Sequence, residues 1–278
     1  MKVKEIIKRA ILHIFKGIPV QQRVVVRPRI SYLSPHNRLF GKNIIVTGGN
    51  RGLGYAMAKK IVEEGGHVVI AGRNGDSLKQ ASDEIGCSYV LLDVLMPDTF
   101  DDFIASCEAV LPGINGLVNN AGISLHEGDF RRVEPRQFNA QFDTNLRGSY
   151  FMTQAFVRLL ENRKRRGVVL LVSSETGETV DYLPYGLTKA GVHSLTKGLA
   201  KYLIQSGIRV NAIAPGVTAS EMTGFKAEGN LYCPYNLTHR VYLPEEVAEI
   251  ACFLLSDAAS ILNGQILVTN EGKTINLR

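Results

Sequence analysis

Residues 43–54 read Asn43-Ile44-Ile45-Val46-Thr47-Gly48-Gly49-Asn50-Arg51-Gly52-Leu53-Gly54, and the apolar run His67-Val68-Val69-Ile70-Ala71 lies a dozen or so residues on. Asn43 to Val46 is a short apolar run of the kind that forms a buried strand, and the glycines after it mark a turn. Leu53 to Glu64 reads as a helix, which Gly65-Gly66 ends before the second apolar run. Strand, glycine turn, helix and strand make a βαβ unit. Glycines let a backbone turn tightly and approach a pyrophosphate, and the helix N-terminus behind them favours negative charge. Thr47, Gly48, Asn50, Arg51, Gly52, Leu53 and Gly54 are therefore the expected cradle of a dinucleotide. A glycine-rich turn without a ligand is the competing explanation, and the flanking strand and helix weigh against it.

The end of the second strand bears on which dinucleotide. An acid there would hydrogen-bond the adenosine ribose and select NAD. The chain has Ala71-Gly72-Arg73-Asn74 instead. The planar fork of Arg73 suits a 2′-phosphate, and Arg51 in the glycine turn is a second candidate. Both favour NADP(H) over NAD(H), against the alternative of two solvated loop arginines.

The alternation continues along the chain. Helices are expected at Ser77–Ile85, 97–110, Arg136–Arg163, Pro184–Gln205 and Pro244–Leu255. Strands are expected at Cys87–Leu92, Ile114–Val118, Val168–Val172, Ile208–Ile213 and Gln265–Thr269. The aperiodic segment 219–243, with Phe225, Tyr232 and Tyr235, is expected to be a lid over the substrate. These elements predict an α/β fold: a doubly wound, Rossmann-like parallel sheet of about seven strands, helices on both faces, and ligands at the carboxyl ends of the strands.

Tyr185-Gly186-Leu187-Thr188-Lys189 falls in the helix from Pro184. Residues four apart share a helical face, with Cβ atoms about 5–6 Å apart. A free phenol ionises near pH 10, and a neighbouring ammonium lowers that value. The pair can thus act as a general acid or base. Tyr and Lys at this spacing are also common on exposed helices, so the pair proves little alone.

Four motifs occur in order on these strands and helices: Thr47-Gly48-x-x-x-Gly52-x-Gly54, Asn119-Asn120-Ala121-Gly122, the Ser174–Tyr185–Lys189 set, and Pro215-Gly216. Together they resemble the short-chain dehydrogenase/reductase family, in its single-domain branch of 3-oxoacyl and ketone reductases, over residues 41–272. The resemblance implies hydride transfer between NADP(H) and a small-molecule carbonyl or alcohol. It implies that Asp93 and Val94 lie beside the adenine, and that Asn120, Ala121 and Gly122 pack beside the cofactor. Pro215, Gly216, Val217 and Thr218 would meet its carboxamide. Ser174, with Ser173 as fallback, would hold the substrate oxygen, and Tyr185 would pass the proton. Lys189 would lower the phenol's pKa and bond the nicotinamide ribose. Asn145 would anchor a water linking Lys189 to solvent, against the alternative of a satisfied buried amide. The helices that carry Asn145 and Tyr185 commonly build a subunit interface in the family, which implies a homodimer or homotetramer. One departure is the Ser174–Tyr185 spacing, slightly shorter than usual. The loop between them carries Glu175, Glu178 and Asp181, a charge pattern that disfavours an anionic substrate.

The chain has 278 residues, 45% hydrophobic and 21% charged, enough for one large α/β domain. Its net charge of +6 is unevenly spread, with ten Lys/Arg against one acid up to Lys42 and 22 against 25 beyond. The body is thus slightly acidic, which argues against nucleic acid as a partner. Residues 1–40 read as a basic extension and 41–278 as a single oxidoreductase domain. In the extension, Val3, Ile6, Ile7, Ala10, Ile11, Ile14 and Phe15 recur at helical spacing among Lys and Arg. Such a helix can touch an anionic membrane surface through residues 1–19, pack on its own body or a partner subunit, or stay disordered. Residues 20–41 read as an arm, with a short strand at Val24–Val26. No run is apolar and long enough for a signal or membrane-spanning helix. Four scattered cysteines suit a reduced, cytoplasmic protein, at most peripheral at a membrane, and six histidines in no ligand spacing predict no metal site.

Overall fold

The computed structural model describes residues 37–275. Seven parallel strands form one sheet in the order β3-β2-β1-β4-β5-β6-β7. They are β1 (Asn43–Thr47), β2 (His67–Gly72), β3 (Ser88–Leu91), β4 (Gly116–Asn119), β5 (Gly167–Val172), β6 (Ile208–Pro215) and β7 (Ile266–Thr269). The helices are α1 (Gly52–Glu63), α2 (Gly75–Ile85), α3 (Phe100–Val110), α4 (Pro135–Gln141), α5 (Gly148–Asn162), α6 (Pro184–Leu203) and α7 (Pro244–Leu255).

The strand pattern explains the layers. Successive residues of a strand face opposite sides of the sheet, and a parallel sheet has both sides covered. Ile44, Val46, Ile70, Val118, Leu170 and Ile213 pack on one side with Met57 and Ile61 of α1, Leu78 of α2 and Val247 of α7. Ile45, Val69, Leu117, Val169, Leu171 and Val210 pack on the other with Phe103 of α3, Phe156 of α5 and Val192 of α6. The chain order reverses between β1 and β4, whose pairing sets Val46 against Val118. That reversal opens a crevice at the carboxyl ends of these strands, where ligands of such sheets bind.

Most expected elements are present within a residue or two, and three differences bear on the site. The single helix expected at Arg136–Arg163 is interrupted: α4 runs into a π-helical segment, Phe142–Arg147, before α5 begins. Such wide turns often mark functional positions, and this one contains Asn145. β6 extends two residues past Ile213, because Ala214 and Pro215 pair with Val268 and Thr269 of β7. Segment 219–243 forms no regular element beyond isolated bridges, but it has its own small core of Ala219, Leu231, Cys233 and Val241.

Arg38 and Leu39 are already bound to the body ahead of Gly41. Leu39 is fully buried, and the Arg38 guanidinium pairs with Glu64 at 2.6 Å and Glu249 at 2.7 Å. The expected leader helix and the strand at Val24–Val26 lie outside the described residues. Among the described residues, no helix is long and apolar enough to cross a membrane.

Candidate active site

The glycine turn is shaped by close approaches. Gly48 has φ +65° and Gly52 has φ +54°, both in the left-handed region that favours glycine. A Cβ on Gly54 would lie 2.1 Å from the Gly48 carbonyl oxygen and 2.4 Å from Asn120 Nδ2, so only glycine lets α1 start this near β1. Asn120 Nδ2 donates to the carbonyls of Thr47 and Gly48 at 3.0 and 3.1 Å. Thr47 Oγ1 accepts from the backbone N–H of Asn120 and Ala121 at 3.0 and 3.1 Å. Thr47 and Asn120 therefore latch the two strand ends that flank the crevice. Asn119 points the other way, donating to Thr153 Oγ1 of α5 at 2.8 Å.

The second half of the site gathers on α6 and the end of β5. Tyr185 lies in the first turn of α6, and Lys189 follows one turn on, its Nζ 5.5 Å from the centre of the phenol ring. Lys189 is 5% exposed, and its Nζ donates to the Val172 carbonyl at 2.9 Å. Burial lowers its pKa to about 8. Burial has the opposite effect on the phenol, raising Tyr185 above its ordinary value, and the Ser174 hydroxyl within hydrogen-bonding reach opposes that rise. Desolvation dominates the phenol here, because neutral phenol tolerates burial and phenolate does not, and it works against the lowering expected from Lys189. Ser173 and Ser174 make different contacts. Ser173 Oγ donates to the Lys189 carbonyl at 3.2 Å, pinning β5 to α6, while Ser174 is the one beside the phenol.

Asn145 reaches the same place through the π-segment. Its Oδ1 accepts from Ile123 N–H at 2.8 Å, and its Nδ2 donates to the Ile123 carbonyl at 2.9 Å and to Thr188 Oγ1 at 3.2 Å. The amide holds the loop after β4 against α6. A Cβ on Gly122 would stand 3.2 Å from Asn145 Oδ1 and 3.7 Å from Lys189 Nζ, so these three residues share one corner.

The remaining sequence candidates spread along the crevice. Arg73 is exposed, makes no ion pair among the described residues, and lines a cleft of about 440 Å³ with Leu92, Asp93, Asp102 and Phe103. Asp93 Oδ1 accepts from Leu95 N–H at 3.0 Å, and the Val94 carbonyl packs against Gly148 at the start of α5. Arg51 differs from Arg73: its guanidinium pairs with Glu221 of segment 219–243. Asn50 Nδ2 donates to Ser77 Oγ at 3.0 Å, tying the turn to α2. At the end of β6, Gly216 N–H donates to the Thr269 carbonyl at 3.1 Å, the Val217 carbonyl accepts from Tyr242 N–H at 2.9 Å, and Thr218 Oγ1 turns back to the Gly216 carbonyl at 2.9 Å. Pro215 to Thr218 is thereby a fixed turn across the crevice from α6.

A family model described as enoyl-(acyl carrier protein) reductase matches residues 48–274. A 3-oxoacyl-[acyl-carrier-protein] reductase of Aquifex aeolicus is 34% identical over 245 residues, covering 84% of this chain and 98% of the relative. This chain is a short-chain dehydrogenase/reductase. Gluconate 5-dehydrogenase of Gluconobacter oxydans is 32% identical over 250 residues, covering 86% of this chain and 97% of that protein. A crystal structure of a short-chain dehydrogenase/reductase from Mycobacterium marinum superposes with a TM-score of 0.79 at 29% identity, covering 86% of this chain and 97% of that one. Membership makes the chain an NAD(P)-dependent oxidoreductase acting on CH–OH and C=O groups. The seven-stranded sheet with helices on both faces is the fold expected of it.

Sequence reasoning missed how the short-chain dehydrogenase/reductase loop between Ser174 and Tyr185 is held. Its acids are spent on the protein. Glu175 is buried against Asn270 and Lys273. Glu178 lies 3.2 Å from His193 Nδ1, and Asp181 Oδ1 accepts from the N–H groups of Tyr182 and Leu183. Lys273 balances the charge of Glu175, while Glu178 and Asp181 leave the loop net acidic. His193 was findable, since it follows Lys189 by four and Tyr185 by eight on one face of α6. Nothing in the sequence marks Glu175 as a residue that folds inward.

Proposed function

We propose that the chain reduces a carbonyl to a secondary alcohol, and runs the reverse oxidation, with Tyr185 exchanging the proton and NADP(H) preferred over NAD(H). The convergence of the Tyr185 phenol, the Ser174 hydroxyl and the buried Lys189 at the carboxyl end of β5 carries this reading.

The residues present suit a dinucleotide. At Gly48, Gly49 and Gly54 a Cβ would crowd neighbouring atoms, and the turn ends at the N-terminus of α1, which would hold the pyrophosphate. Arg73 would take the 2′-phosphate, Arg51 joining it only on leaving Glu221. Asp93 and Val94 would flank the adenine, and Ala121, Gly122 and Gly216–Thr218 the nicotinamide end. When bound, NADPH supplies the hydride.

The protein's part is proton and charge management. The Ser174 hydroxyl donates to the substrate oxygen as negative charge develops there. Tyr185 then donates its proton to that oxygen. Burial suits this role, because a phenol held above its ordinary pKa stays protonated at neutral pH. Lys189, lowered to about 8, can exchange protons in the same range and stabilises the phenolate left behind. Asn145 keeps the loop facing Lys189 in place. Alcohol oxidation needs the phenolate instead and is favoured as pH rises.

The relatives make a 3-oxoacyl thioester and a sugar-acid ketone the first substrates to try. Exposed Tyr150 on α5 and Leu187 on α6 support pairing of that face with a second copy. The test is a titration with NADPH and NADH of the wild type and Arg73→Ala, followed by a panel of ketones and 3-oxoacyl thioesters. Tighter NADPH binding that Arg73→Ala loses, with NADPH consumed on some member of the panel, is expected. Equal binding of the two cofactors sinks the preference. Binding without turnover across the panel points to a cofactor-binding regulator instead.

A further inference from the structure

The carboxyl ends of β5, β6 and β7 are joined by a buried carboxylate that the proton chemistry above does not use. Glu175 directly follows Ser174 and opens the one-turn 3-10 helix Glu175–Gly177. Its side chain turns into the protein and is 10% exposed. Oε1 accepts from Lys273 Nζ at 2.8 Å, and Oε2 accepts from Asn270 Nδ2 at 3.0 Å. Asn270, the first residue past β7, is 1% exposed and is itself held, its Oδ1 accepting from Gly272 N–H at 3.1 Å. Gly216 closes another side. A Cβ there would stand 2.7 Å from the Tyr242 ring, 3.1 Å from Asn270 Cβ and 3.3 Å from Glu175 Oε2. Lys273 Nζ also lies 3.4 Å from Asn236 Oδ1, within segment 219–243.

One carboxylate thus touches the ends of three adjacent strands, and its cationic partner touches segment 219–243. A buried carboxylate is unfavourable unless it is paired and hydrogen-bonded, so the geometry around it is tightly specified. The backbone it fixes carries Ser174. Ser174 Oγ accepts from Thr176 N–H at 3.3 Å, within the same one-turn helix. The direction of the Ser174 hydroxyl is therefore set by a helix whose first residue is anchored from the C-terminal segment.

We propose that Glu175 and Lys273 are positioning residues for Ser174: their ion pair, braced by Asn270, holds the Ser174 hydroxyl in register with the Gly216 turn. This rests on the assignment of Ser174 to the substrate oxygen. Loss of the pair leaves the sheet and the glycine turn intact and lets the Ser174 loop move.

The test combines hydrogen exchange with steady-state kinetics on the full chain, comparing wild type with Lys273→Met, Lys273→Arg and the double variant Glu175→Gln/Lys273→Met. In Lys273→Met, amides of residues 173–178 and 216–218 should exchange roughly tenfold faster, while those of β1 and α1 are unchanged. kcat should fall roughly 10- to 100-fold, as expected of a misplaced hydrogen-bond donor, with carbonyl KM and NADPH affinity held within about threefold. Lys273→Arg should restore both exchange and rate. The double variant leaves no unpaired buried charge, so it should fold as wild type does yet remain slow and fast-exchanging. Wild-type exchange in Lys273→Met, wild-type rate in the double variant, or an equal defect in Lys273→Arg would overturn the proposal. The exchange comparison needs no turnover. A chain that reduces no carbonyl defeats the reductase reading, while exchange still decides the anchoring.

Discussion

Replacing Lys189 by Met should make the protein more stable and much slower. Lys189 is 5% exposed, and burial brings its pKa from 10.5 to about 8. That depression corresponds to roughly 3 kcal/mol of cost for holding the charged form in the fold. The folded protein binds this proton less tightly than the unfolded chain. The cost is therefore carried in full below pH 8, shrinks between pH 8 and 10.5, and vanishes above. Methionine fills a similar volume without charge. It also removes the donor to the Val172 carbonyl, a loss of about 1 kcal/mol. The net gain at pH 7 is about 2 kcal/mol, a rise in Tm of roughly 4–8 °C for a chain of this size. Calorimetric melts of wild type and Lys189→Met at pH 7 and pH 10 measure it, with NADPH consumption as the activity check. The gain should shrink at pH 10, and turnover should fall roughly 10²- to 10⁴-fold. A variant that melts at or below wild type at pH 7, or a gain that is the same at both pH values, refutes this reasoning.

Other residues give independent checks. Glu64 is 3% exposed, and chiefly the hydrogen bond from Arg38 lowers its pKa to about 2. Because the folded value is depressed, its stabilisation is present above about pH 4.5 and lost as pH falls towards 2. Glu64→Gln should therefore cost roughly 2–3 kcal/mol in urea unfolding at pH 7, and the gap to wild type should narrow as pH drops through that window. Gly54→Ala puts a methyl 2.1 Å from the Gly48 carbonyl. It should weaken dinucleotide binding by at least about tenfold in calorimetric titration, since α1 must retreat from the turn. Ser174→Ala should lower kcat roughly 10²-fold with the melting curve nearly unchanged. Ser173→Ala should do the reverse, lowering Tm by a few degrees through the lost tie to α6.

The legible and illegible parts of this molecule divide on physical grounds. Strand and helix order was readable because parallel strands buried on both faces appear as bare apolar runs, such as Val168–Val172, and helix boundaries carry local marks, such as Pro184 and Pro244. The Tyr185–Lys189 pair was readable because four-residue spacing fixes a shared face. The π-segment at Phe142–Arg147 was not, since the partners its Asn145 meets, Ile123 and Thr188, are distant in sequence. The balance of effects on the phenol was hidden for a related reason. The sequence shows that Lys189 is near Tyr185 but not how little water reaches either, and desolvation outweighs proximity here. Glu175 was read as part of an acidic loop because the partners that turn it inward, Asn270 and Lys273, come almost a hundred residues later.

The most direct test of Tyr185 as the proton donor is a single-turnover measurement on Tyr185→Phe with NADPH bound. Phenylalanine keeps the ring and removes only the hydroxyl. The expected result is NADPH affinity within about threefold of wild type and carbonyl reduction slowed by about 10³-fold or more at pH 7. Tyr185→Phe that retains a tenth or more of the wild-type rate would contradict the assignment and shift the proton's source to another group.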